Sequence, residues 1–229
     1  MNNPYDAMIL VSFGGPEGPD DVMPFLENVL RGRDVPRERM LSVAEHYYQF
    51  GGVSPINHDN RRLVSLLEEQ LSTHGIASPV YFGNRNWHPM LADTIEQMKN
   101  DGVRRALAIV TSGYSSYSSC RQYKEDLEVA REAVGAGAPE VDKLRVFFNH
   151  PGFVESMTGC AARALEQIDR DARDDCHVLF TAHSIPLTMS DGCAYAVQME
   201  EVSRLVSREL GVKNWRVVYQ SRSGSPQQP

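Results

Sequence analysis

His183 follows the apolar run His177–Ala182 and precedes Pro186 in the segment Thr181-Ala182-His183-Ser184-Ile185-Pro186. Proline turns a chain out of a strand, so the imidazole is expected at a crevice rather than inside a sheet. An imidazole there can accept a proton or bind a transition metal, and the alternative is a histidine satisfying a local hydrogen bond. Arg31-Gly32-Arg33 offers two guanidinium forks to carboxylates on a ligand, or a solvated helix end that complements the macrodipole. Ser112–Arg121 is a run of Ser, Tyr and Gly; with Tyr114, Tyr117 and Tyr123 it suits a flat, partly apolar ligand with polar edges, and equally a surface loop. Ser12-Phe13-Gly14-Gly15-Pro16 could bring backbone close to a ligand such as a phosphate, but the G-x-G-x-x-G and P-loop spacings are absent. H-E-x-x-H, C-x-x-C and G-x-S-x-G are absent as well. Cys120, Cys160, Cys176 and Cys193 lie 40, 16 and 17 residues apart and are expected as free thiols.

These residues need elements to position them. Strands are expected at Ala7–Phe13, Pro79–Gly83, Ala106–Thr111, Leu144–Phe148, His177–Ala182 and Trp215–Tyr219. Helical spacing covers Asp20–Leu30, Asn60–His74, Met90–Asp101, Tyr123–Ala133, Phe153–Arg170 and Ala196–Leu210. This alternation predicts an α/β fold with parallel sheet flanked by helices. Arg31–Asp59 reads as a polar excursion, and Ser221–Pro229 as a polar tail. In an open parallel sheet, ligands bind beyond the carboxyl ends of the strands. Ser12–Gly18, Asn84–Pro89, Ser112–Tyr123, His183–Met189 and Gln220–Gly224 follow strands and are the segments from which one extended pocket is expected.

With 30 acidic and 23 basic side chains among 229 residues, the net charge is −7 and no basic stripe is present, which argues against a nucleic-acid binder. No window approaches the roughly 18 apolar residues of a membrane span. A cytoplasmic, monomeric protein is the expectation.

Seven segments in order resemble the ferrochelatase family, and within it the actinobacterial coproporphyrin type: Val11–Val22, Leu30–Pro36, Glu45–Asn57, Tyr81–Pro89, Thr111–Tyr123, Leu179–Pro186 and Tyr219–Pro229. The resemblance implies two Rossmann-like lobes, here 1–114 and 115–229, and insertion of ferrous iron into a tetrapyrrole in a cleft during haem biosynthesis. Coproporphyrin III or protoporphyrin IX would be the organic substrate and Fe2+ the other; no cofactor is required. His183 matches the family's metal ligand or proton acceptor. Ser54 and Tyr123 match porphyrin contacts, and Arg31, Arg33 and Arg121 are candidate partners for propionates.

Three departures shape the expectation. Phe13 stands where some other bacterial enzymes carry a tyrosine axial ligand, so Tyr47, then Tyr48, becomes the candidate phenol. Cys160 matches one of four cysteines of an iron–sulfur cluster whose other three have no match, so a cluster is not expected. In the family the segment Gln220–Pro229 is followed by about another third of the protein, against ordinary domain size. That stretch carries the acidic residue facing the histidine. The second lobe is therefore expected to be incomplete with an uncovered sheet edge, and the chain to be impaired or, alternatively, a non-catalytic tetrapyrrole-binding fragment.

Overall fold

The computed structural model describes residues 4–173 and 175–221. Arg222–Pro229, which hold most of the expected polar tail and the end of the seventh segment, lie outside the described residues. The chain divides into two compact units, 1–111 with 123–144, and 112–122 with 145–229.

The first unit is built on four parallel strands in the order β2-β1-β3-β4: β1 (Ala7–Ser12), β2 (Val80–Asn84), β3 (Arg105–Val110) and β4 (Glu140–Lys143). β1 is central, pairing Met8 with Val80 on one side and with Leu107 on the other. A strand covered on both faces needs no polar alternation, and Ile9, Leu10 and Val11 are fully buried. Ile9 and Val11 share a core with Leu91, Ile95 and Met98 of α4 (Leu91–Asn100) and with Tyr123, Leu127 and Ala130 of α5 (Gln122–Val134). α3 (Ile56–Thr73) packs against β1 and β2. α1 (Val22–Val29) and α2 (Arg37–Tyr48) form a second core through Val22, Phe25, Leu26 and Ala44.

Two expectations are corrected here. The fourth strand is Glu140–Lys143 rather than the more apolar Leu144–Phe148. An edge strand tolerates charge: Asp142 pairs with Arg105 at 2.6 Å on the neighbouring strand. β4 completes the ladder of β3, and the first unit takes in most of α5 and all of β4. The excursion Arg31–Asp59 is also not wholly irregular, since α2 lies within it.

The second unit has two parallel strands among the described residues, β5 (Val178–His183) and β6 (Trp215–Gln220), in register from Val178 with Trp215 to His183 with Gln220. α6 (Pro151–Glu166) starts at its proline, with the His150 side chain accepting from the Gly152 amide at 3.2 Å. Two short helices, α7 (Arg170–Arg173) and α8 (Leu187–Ser190), flank β5 in sequence. α9 (Tyr195–Leu210) buries Gln198, Met199, Val202, Ser203, Val206 and Ser207, the inward stripe of a 3.6-residue period. Parallel sheets and covering helices give the α/β class expected, with the second sheet smaller than the first. No helix among the described residues is long and apolar enough to cross a membrane.

Candidate functional site

In the first unit, the segments after β1 and β2 are tied together by side-chain amides. Asn57, fully buried at the start of α3, donates to the Gly15 carbonyl at 3.2 Å and to the His88 carbonyl at 3.0 Å. Its own oxygen accepts from Asn84 Nδ2 at 3.0 Å, and Asn84 also reaches the His88 carbonyl at 3.1 Å. Asn86 donates from both its backbone and its side chain to the Phe13 carbonyl, each at 3.2 Å. Three backbone segments distant in sequence are thereby held by groups that would cost free energy if left unpaired.

The paired glycines serve this packing. A Cβ on Gly15 would lie 2.6 Å from the Ser54 Cβ, and one on Gly14, whose φ is +83°, would lie 2.9 Å from the Asn84 Cβ. Ser54 is half-buried against this turn, its amide donating to the Pro16 carbonyl at 2.8 Å.

Four rings meet beside it. Phe25 takes the edges or faces of Phe13, Tyr47 and Trp87, with centroids 6.2, 5.9 and 6.3 Å away. Burial pushes the Tyr47 phenol above its ordinary range, favouring the neutral hydroxyl. Tyr48 is exposed on the same helix. Arg85 lies over the Phe13 ring at 5.8 Å and the Tyr123 ring at 5.0 Å, while its Nε approaches Asp126 at 2.8 Å. That ion pair is close but poorly aligned, leaving both atoms without a well-formed hydrogen bond. Burial outweighs Arg85 and raises the Asp126 carboxyl; burial likewise raises the Tyr123 phenol. Tyr123 itself is a core residue, with 5% of its surface exposed.

Arg31 and Arg33 are exposed on the turn after α1. Arg31 Nη2 donates to Asn28 Oδ1 at 2.6 Å, and Asn28 donates on to the Asn86 carbonyl at 3.3 Å, linking the guanidinium to the segment after β2. The first unit thus gathers Ser54, Tyr47, Tyr123 and Arg31 around one set of loops.

In the second unit, His183 is the last residue of β5 and is exposed, where the sequence places it just past the strand. Its Nδ1 lies 3.2 Å from the Ser184 carbonyl oxygen. A carbonyl can only accept, so this contact puts the ring hydrogen on Nδ1 and leaves the Nε2 lone pair for a proton or a metal. The segment after β3 forms a π-helical turn at Tyr117–Arg121, closed by a reciprocal box between Ser116 and Ser119. Arg121 is exposed and its guanidinium lies 5.9 Å from the Tyr117 ring centroid. Cys160 is exposed on α6 with Arg163 donating to its sulfur at 3.3 Å. Among the described residues, no group of three or more His, Cys, Asp or Glu could hold a metal ion.

A family model described as ferrochelatase matches residues 5–228. The chain belongs to the ferrochelatase family. It is 58% identical over 227 residues to a protein of Rhodopirellula baltica named ferrochelatase, covering 99% of this chain and 64% of that protein. It is 50% identical over 245 residues to the coproporphyrin III ferrochelatase of Streptomyces coelicolor, covering 99% of this chain and 65% of that one. The protein of the same name in Mycolicibacterium smegmatis is 50% identical over 228 residues, covering 98% and 67%. The chain thus spans about 65% of the length of these relatives.

Asn57, Asn84, Arg85 and Trp87 lie inside the segments that carry the resemblance, yet their roles were not legible from type or spacing. Each acts on backbone or rings far along the chain, which no local period reports.

Proposed function

We propose that this chain carries the porphyrin-holding and histidine-bearing parts of an enzyme that inserts ferrous iron into coproporphyrin III in haem biosynthesis. The observation that carries the reading is His183, exposed at the carboxyl end of a parallel strand with its Nε2 lone pair free. Insertion exchanges two pyrrole protons for a divalent ion, without electron transfer, and so calls for no redox cofactor. A neutral imidazole can take one of those protons or ligate iron that has shed its water. Ser54 would contact the macrocycle, while Arg31, Arg33 and Arg121 would meet its carboxylates as bidentate forks; the burial of Tyr123 in the core takes it out of that contact set. Tyr47 would supply an axial phenol in place of Phe13. The names of the actinobacterial relatives support coproporphyrin III over protoporphyrin IX.

The test is anaerobic mixing of the chain with ferrous iron and coproporphyrin III, followed by absorbance. Metalloporphyrin that forms with the native chain and not with His183→Ala supports the reading; equal formation by both removes His183 from the chemistry. The sheet of two strands that β5 and β6 form among the described residues favours a second reading, a chain that binds the tetrapyrrole without metallating it. Binding with no product in the same experiment would select it.

A further inference from the structure

The first turn of α9 touches both functional segments of the second unit. The Tyr195 hydroxyl donates to the His183 carbonyl at 3.1 Å. Three residues on, Gln198 is 8% exposed and clasps Ser115 twice: its Oε1 accepts from the Ser115 amide at 2.7 Å and its Nε2 donates to the Ser115 hydroxyl at 3.0 Å. Residues at i and i+3 share a helix face, so one turn holds the strand end and the loop together. The Tyr114 ring sits beside Tyr195 with centroids 6.2 Å apart, and its carbonyl accepts from the Ser119 hydroxyl at 2.6 Å. The π-turn bearing Tyr117 and Arg121 therefore hangs from Gln198 through Ser115 and the Ser116–Ser119 box.

At the other end, the peptide after His183 is pinned from several directions. Tyr195 holds the His183 carbonyl, while the Ser184 amide donates to the Gln220 carbonyl at 2.8 Å and its hydroxyl to the Ser221 carbonyl at 2.9 Å. These bonds hold the peptide and the side chain on either side of the Ser184 Cα, from which the carbonyl that accepts from the His183 Nδ1–H extends.

We propose that Tyr195 and Gln198 are positioning residues with separate duties: Tyr195 keeps His183 in the tautomer with Nε2 free, and Gln198 sets the π-turn that would meet the porphyrin carboxylates. The second duty rests on the chelatase reading; the first stands apart from it. A merely structural pair would loosen the unit as a whole and move both readouts together.

The experiment uses the 229-residue chain labelled uniformly with 15N, with the His183 ring signals identified by their loss in His183→Ala. At a pH where the ring is neutral, the native chain shows protonated Nδ1 and unprotonated Nε2. Tyr195→Phe keeps the ring packed and loses the hydroxyl, and its His183 becomes a mixture of tautomers. Gln198→Leu leaves the tautomer as it is but speeds exchange of the Ser115 amide by about fivefold, the worth of one hydrogen bond, and Gln198→Glu, which still accepts from that amide, restores slow exchange. Coproporphyrin III fluorescence then shows binding weakened more by Gln198→Leu than by Tyr195→Phe. A native ring protonated on Nε2, an unchanged tautomer in Tyr195→Phe, or equal effects of both variants on both ligand-free readouts overturns the proposal. If the native chain does not bind coproporphyrin III, the chelatase reading fails while the tautomer and exchange results still decide the positioning roles.

Discussion

The two units solve the same problem, a polar loop held at the end of a parallel strand, with unequal means. In the first, the strand that leads into the site is covered on both faces, and the loops beyond it are locked by Asn57, Asn84 and Asn86 to backbone carbonyls. In the second, His183 ends a strand whose Leu179 is 50% exposed, and β6 offers Tyr219 at 51%. Here α9 reaches over with a phenol and an amide, beside the two bonds that Ser184 makes to the Gln220 and Ser221 carbonyls. A wall for a rigid planar ligand gains from a preformed backbone, whereas a histidine needs only its plane and its tautomer fixed.

The protein has two tryptophans, Trp87 in the first unit and Trp215 in the second, so Trp→Phe variants at either position isolate a fluorescence signal for the other unit. The largest expected effect is Phe25→Ala, which empties the centre of the ring cluster and lowers the stability reported by Trp87 by about 3–5 kcal/mol. Leu179→Ala, at a half-exposed site, shifts the Trp215 transition by less than about 0.5–1 kcal/mol. Similar losses for the two variants in denaturant unfolding would break the contrast between buried packing beside the first unit's loops and exposed packing on the second unit's strand. Next comes Asn57→Ala, which strands the Gly15 carbonyl, leaves the His88 carbonyl and the Asn84 amide with only each other, and costs about 1–3 kcal/mol on the Trp87 curve. A loss well under that figure would show that solvent replaces the network readily and that the wall is not preformed by it.

The same contrast governs how much could be read in advance. Strands β1, β2, β3, β5 and β6 stood out because burial demands apolar, β-branched runs. The fourth strand did not, because at an edge it carries Glu140, Asp142 and Lys143 while the apolar Leu144–Phe148 lies beyond it. α2 was hidden by a polar sequence with only Ala44 buried. His183 was legible from its setting after an apolar run and before Pro186. The roles of Ser54, Tyr47, Tyr123 and Cys160 came from resemblance, and burial places Tyr123 in the core, where spacing after a strand reads it as a rim residue. Asn57, Tyr195 and Gln198 were invisible because their partners lie 12 to 83 residues away, at distances set by the fold and not by any period.

The smallest expected effects lie on the acid side, where one exposed carboxylate–arginine pair from each unit makes the comparison. Arg61 holds the Glu17 carboxyl below its usual value through hydrogen bonds, one of them at 3.0 Å, and Arg204 does the same for Glu201 with two at 2.8 Å. A carboxyl whose folded pKa is lowered contributes stability that is full above its unfolded value and is lost as pH falls through the folded one. Both pairs therefore fade below about pH 4.3, the ordinary value for a glutamate. Solvent screening limits each to less than about 1 kcal/mol. Glu17 joins α3 across 44 residues, whereas Glu201 and Arg204 are neighbours on one helix, so Glu17→Gln should flatten the acid limb of the Trp87 curve more than Glu201→Gln flattens that of Trp215. Raising the salt concentration should shrink both differences. A larger change at Glu201 would mean that the second unit draws more of its stability from α9 than from its sheet, and would move the weight of the comparison from strand burial to that helix.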